Sequence, residues 1–295
     1  MDARTFYGLE PTAVPTRWRM PIVPGLTSGR RALFGGCGLG AAIEVMETVT
    51  GRPCIWATAQ YLTYATPPSV LELDVLEVVR GHQISQARVI AHVGATEVLT
   101  VVGACGHRES PFEDQWAVRP DVPPPSESPP RPRQQHHAGT IHDRLEMKLA
   151  IGRSFEEFPG PRGTGNSALW VRMPELLEMS AGSLAIIGDF VPFGIGQALG
   201  ARAGGNSLDN TLRVAHRVPT EWVLADVRVH AIGDGFAHGL VHLWAEDGTL
   251  LGTASQSTIV REHRAGAAKP RTAQRGSHDG WREHPGDEPD DEEPQ

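Results

Sequence analysis

FGGCGLGAAIEVMETVTG, residues 34–51, opens on glycine and then carries Leu39, Ile43 and Met46 at helical spacing. Four β-rich runs follow it: CIWATAQYLTYA from residue 54, VLELDVLEVVRG from 70, QISQARVIAHVG from 83 and EVLTVVGACG from 97. Each is about ten residues of Val, Ile, Thr and aromatic side chains, and Gly81 and Gly94 punctuate the later ones as antiparallel hairpins require.

The second half repeats the statement. RLEMKLAIG and ALWVRM read as strands, and the nearly uncharged SLAIIGDFVPFGIGQAL (183–199) as a helix that Pro192 should kink or break. The runs SLDNTLRVAHRV, WVLADVRVHAIG, FAHGLVHLWAEDG and LLGTASQSTIVR then predict four more strands. A long antiparallel sheet curls, and an apolar helix fills its concave face. The expected class is therefore α+β, a double hotdog in which two sheets each wrap a helix and pair as a pseudo-dimer within one chain. The expected divisions are an N-terminal hotdog over 1–116, a Pro-rich linker over 117–138, a C-terminal hotdog over 139–261 and a disordered acidic tail over 262–295. The linker, AVRPDVPPPSESPPRPRQQHHA, reads as extended polyproline-like chain, with His136 and His137 as exposed polar residues rather than metal ligands.

Charge narrows the function. The chain carries a net −8, and residues 283–295 hold seven acidic side chains without Lys or Arg, which leaves the body near neutral. Such a body offers no basic field for a phosphate backbone, so no nucleic-acid partner is expected. Cys37, Cys54 and Cys105 form no CxxC pair, which fits a reducing compartment and gives no structural metal site. The first twenty residues lack the apolar core of a secretory signal, and no stretch approaches the ~18 uninterrupted apolar residues of a membrane span. A soluble cytoplasmic protein is the resulting expectation.

GGCGLGA matches the dinucleotide fingerprint at Gly36, Gly38 and Ala41, but SGRRALF before it is a poor strand and no acidic residue stands near position 57. β follows β instead of a βαβ unit, so nicotinamide binding is rejected and no cofactor is expected. Two uses of these glycines remain open: tight helix packing, or backbone N–H groups at a helix start that face an oxyanion, with Gly36 the candidate. No G-x-S-x-G elbow occurs.

Sliding one half over the other by 151 or 152 residues pairs Thr58 with Asp209, Val78 with His230 and Ala104 with Gln256. Polar groups on three strands at matching depths could satisfy one another and hold a water. Asp189, inside an apolar helix, is the rival carboxylate; its other reading is a satisfied core Asp capping the segment that Pro192 breaks.

Residues 30–261 resemble the acyl-CoA thioesterase II (TesB-type) family. The resemblance rests on FGG at 34–36, on GHQISQARVIAHVGATEVLTVVGACGHRESPFEDQ (81–115), on SLDNTLRVAHRVPTEWVLADV (207–227) and on EDGTLLGTASQSTIVR (246–261). It implies hydrolysis of acyl-CoA thioesters by a water that Asp209, Gln256 and a third polar residue position, with His230 where the family has Ser or Thr. Two further readings stay open: an acyl-CoA-binding or assembly module with a decayed site, and a hydratase, although Phe190, Val191 and Pro192 after Asp189 do not form a hydratase motif. Acyl-CoA is the expected partner, and a homo-oligomer is left open.

Overall fold

The computed structural model describes residues 1–176 and 179–262. Apart from Glu262, the tail expected over 262–295 lies outside the described residues. The first half contains α1 (Ala3–Tyr7), β1 (Glu10–Pro11), β2 (Arg17–Ile22), α2 (Gly35–Thr50), β3 (Cys54–Tyr61), β4 (Ser69–Arg80), β5 (Ile84–Val93) and β6 (Thr96–Gly106). The second contains β7 (Glu146–Ile151), β8 (Asn166–Arg172), α3 (Ala181–Gly188), α4 (Val191–Leu199), β9 (Ala203–Ser207), β10 (Asp209–Val214), β11 (Val223–Gly233), β12 (Phe236–Ala245) and β13 (Leu250–Glu262). Both repeats of a helix followed by antiparallel strands are present, so the fold is the expected α+β hotdog pair.

The strands form one antiparallel sheet in the order β1-β2-β4-β5-β6-β3-β10-β13-β12-β11-β8-β7, with β9 beside β13. The halves meet where β3 pairs with β10, in register Thr58 opposite Thr211 and Gln60 opposite Asp209. The two threonine hydroxyls share a hydrogen bond of 3.0 Å across that seam. Alternation puts Leu71, Leu73, Val89, Ala91, Leu212 and Ala254 on the concave face, where they bury against the helices.

The glycines of the opening motif serve close approach. A Cβ built on Gly36 would lie 2.7 Å from both the Ala185 carbonyl oxygen and Ile186 Cα, and one on Gly40 would lie 2.7 Å from the Gly182 carbonyl oxygen. Backbone of α3 therefore occupies the space a side chain would need, and the two central helices cross at their glycines. Tyr7 ties the same crossing from α1, its hydroxyl donating to the Gly182 carbonyl at 2.8 Å.

Pro192 acts as the sequence predicts. It sits in the first turn of α4, where a missing N–H leaves no helical bond unmade, and the chain between α3 and α4 breaks at Asp189 and Phe190. The Pro-rich segment, expected as an extended linker outside the packed structure, is packed instead. It forms little regular structure, yet it lies along the outer face of the C-terminal sheet. Trp170 Nε1 donates to the Pro123 carbonyl at 2.9 Å, Leu149 N to Pro129 at 2.8 Å, and Arg131 N to Met147 at 2.9 Å. Trp170, Trp222, Leu224 and Trp244 make that outer face apolar, and Ala117 and Val122 of the segment pack against it. Proline cannot donate a backbone hydrogen bond, but its carbonyl accepts well, so the segment covers the sheet and joins it at one bridge, Pro130 beside Lys148 on the edge strand β7.

Candidate active site

The break between α3 and α4 leaves the Asp189 carboxyl and the Val191 amide in need of partners, and they find them in one place. Asp189 is the C-cap of α3 and is buried. Its Oδ2 accepts from the Gly36 amide at 2.6 Å, across the contact between halves. Its Oδ1 accepts from Gln256 Nε2. Gln256, on β13 and also buried, gives a second bond from Nε2 to Ser207 Oγ at 2.9 Å. Its Oε1 takes the Val191 amide at 3.1 Å, the first N–H of α4, which has no partner within its helix. Asp189, Gln256 and Ser207 thus form one network, framed by the N-termini of α2 and α4.

Electrostatics at Asp189 pull in opposite directions. Burial raises its pKa; the bonds from the Gly36 amide, Gln256 and Ser207 favour the carboxylate and lower it. Burial wins, and the pKa stands at about 7. A carboxyl group balanced near neutrality can exist as a base in an apolar setting.

A small cleft of about 30 Å³ opens beside the network, lined by Leu33, Phe34, Gly35, Tyr61, Val98 and Leu99 among others. That is room for a water or a short aliphatic group. On the other flank stand Phe34, Phe190 and His142, with ring centroids 5.9 to 6.5 Å apart. Burial holds the His142 imidazole well below its usual pKa, so this flank stays uncharged.

The structure brings together some of the residues singled out in the sequence and separates others. Gln256 lies at the centre, Asp189 beside it, and Gly36 reaches Asp189 from the other half. Asp209 does not reach Gln256: its Oδ1 accepts from the Ser257 amide at 2.7 Å instead. The cause is an irregularity in the ladder. Ser207 pairs with Thr258 and Thr211 with Ser255, so three residues on one strand face two on the other. The carboxylate of Asp209 satisfies the amide that this extra residue leaves unpaired. His230 is likewise displaced. It is the extra residue of a bulge between Val229 and Ala231, matched by Val78 between Glu77 and Val79 in the first half. The bulges of the two halves coincide, so the pairing of Val78 with His230 holds, but His230 is exposed there. The ladders place Thr58 level with Thr211 and Ala104 level with Ser257, so the other two pairings slip by two residues and by one. Among the described residues no hydrogen bond joins Asp209 or His230 to Gln256.

Ser207 is the residue that sequence reasoning missed. It stands two positions before Asp209 in the same quoted run, and only the irregular pairing decides which of the two hydroxyl and carboxyl groups meets Gln256.

A family model described as the acyl-CoA thioesterase C-terminal domain matches residues 120–260. Among solved structures, a candidate thioesterase from Novosphingobium aromaticivorans is 31% identical, with 85% of this chain and 97% of that one covered and a TM-score of 0.76. The acyl-CoA thioesterase II TesB2 of Mycobacterium marinum shares the fold at 16% identity, covering 88% and 98% of the two chains with a TM-score of 0.70. The tesB protein of Mycobacterium avium subsp. paratuberculosis does so at 14%, covering 88% and 98%, with a TM-score of 0.71. No curated protein sequence matches the chain. Identity above 30% over nearly the whole of one thioesterase relative, together with the acyl-CoA thioesterase domain matched over 120–260, places this chain in the acyl-CoA thioesterase family, on the double-hotdog fold it shares with the TesB proteins.

Proposed function

We propose that the protein hydrolyses acyl-CoA thioesters to a free acid and CoA, with Asp189 as the general base and Gln256 and Ser207 as the groups that orient it and the attacking water. The observation that carries this reading is the buried Asp189 carboxyl, balanced near neutral pH and held by Gln256 and by an amide of the opposite half. A thioester carbonyl is activated relative to an oxygen ester, so water can attack it without a covalent enzyme intermediate. Asp189 accepts a proton from the water as its oxygen bonds to the carbonyl carbon. The resulting oxyanion collapses, the carbon–sulfur bond breaks, and the proton on Asp189 goes to the departing thiolate. Water and thioester become acid and thiol, and the carboxylate is restored.

The N-terminus of α2 favours negative charge at this point, which supports both the carboxylate and an oxyanion nearby. The apolar lining of the adjoining cleft suits the start of an acyl chain. A panel of acyl-CoA chain lengths assayed with a thiol-reactive dye tests the proposal. Thiol release that saturates with substrate is the expected result. Acyl-CoA binding without release at any chain length would replace it with the binding-module reading.

A further inference from the structure

Within the cleft one polar atom is left without a task. The Tyr61 hydroxyl, at the end of β3, is buried beside the Asn210 carboxamide, which approaches it without an aligned hydrogen bond and has no other partner. A Cβ built on Gly35 would lie 2.8 Å from Asp189 Oδ2 and 3.0 Å from Tyr61 Oη, so both oxygens border the same few ångströms of space at the start of α2. Apart from Thr63, the remaining cleft wall near Tyr61 is apolar, from Leu33, Ala65, Val98 and Leu99. An unbonded hydroxyl in such a place costs free energy unless a ligand satisfies it.

Resting on the proposed hydrolysis, we infer that Tyr61 is a catalytic residue: its hydroxyl donates to the thioester carbonyl oxygen and strengthens that bond as the oxygen becomes an oxyanion. The need for such a donor follows from the network itself. The Gly36 amide, the backbone donor best placed for this duty, is already bonded to Asp189. Tyr61 supplies an O–H at the polar end of an apolar pocket, which fits a carbonyl followed by an aliphatic chain. Burial raises its pKa further above the ordinary phenol value, so the hydroxyl keeps its proton while Asp189 titrates. No proton leaves Tyr61 in the reaction; it donates a hydrogen bond only.

The test is Tyr61→Phe in the full chain, which removes one oxygen and only its unaligned contact with Asn210. Loss of a single oxyanion donor lowers kcat by about 100-fold. The expected result is a fall of that order, with an unchanged KM, a thermal midpoint at or above that of wild type and the same acid limb of the pH profile. A kcat within about threefold of wild type overturns the assignment. Binding gives a second readout that does not need turnover. A trifluoromethyl ketone analogue of an acyl-CoA should bind Y61F more weakly than wild type, while a thioether analogue without the carbonyl should bind both equally. Equal weakening of both analogues overturns the assignment, because the hydroxyl would then contact a part of the ligand other than the carbonyl. Asp189→Asn separates this from failure of the parent proposal: an active D189N refutes Asp189 as the base, whereas an inactive D189N beside a fully active Y61F refutes only the role of Tyr61.

Discussion

Asp189 should make the protein less stable as the pH rises toward neutrality, and Asp189→Asn should remove that dependence. The folded pKa is about 7 against 3.8 for the exposed group. Each pH unit between folded and unfolded values is about 1.4 kcal/mol, so ionising this carboxyl in place costs about 4 kcal/mol. The direction follows from proton counting. Between the two pKa values the native state binds more protons than the unfolded state, and stability falls as pH increases. The contribution of the neutral carboxyl is complete below about pH 4 and gone above about pH 7. Glu44, which burial also raises to about 7, shares this behaviour but is common to both proteins and subtracts out. Urea unfolding of wild type and D189N from about pH 5.5 to 7 should therefore show wild type losing about 2 kcal/mol relative to the variant. A difference that stays constant over this interval, or that moves in favour of wild type, refutes the argument that burial dominates at Asp189.

Two further substitutions probe the frame around the network. Gly36→Ala drives a methyl group into the backbone of α3, which cannot swing aside; a loss of about 1–3 kcal/mol is expected, with a lower thermal midpoint and reduced turnover. A G36A protein with the wild-type midpoint would contradict the close helix crossing. His230→Ala, at an exposed bulge, should stay within about 0.5 kcal/mol of wild type and within about twofold in kcat. A large loss of turnover would bring this histidine back into the chemistry.

The architecture was legible because its signals are local and repeated. Glycine followed by an apolar helix, four β runs and hairpin glycines occurs in each half, and Pro192 marks the break that creates the Asp189 cap. Gln256 was legible too, as a polar residue inside a strand that demands burial and therefore a partner. What escaped was the pairing of that residue. Counting alternate positions along a strand assumes an unbroken ladder, and here one extra residue near Asp209 and another at His230 shift which side chains share a face. Asp209 and His230 are consequently spent on a backbone amide and on an exposed bulge, while Asp189 and Ser207 reach Gln256. The short strands β1 and β2 gave little signal, being two and six residues long and interrupted by Pro11 and Pro21. Nor could composition reveal that a Pro-rich segment would cover tryptophans from a distant sheet face.

Thiol release from an acyl-CoA, measured side by side for Asp189→Asn and Asp209→Asn, is the most direct trial of the site. Asp189 as the base predicts that D189N loses at least about 100-fold in kcat, that D209N keeps most of its activity, and that wild-type turnover rises through about pH 7. Full activity in D189N, or a silent D209N that remains folded, would contradict the account.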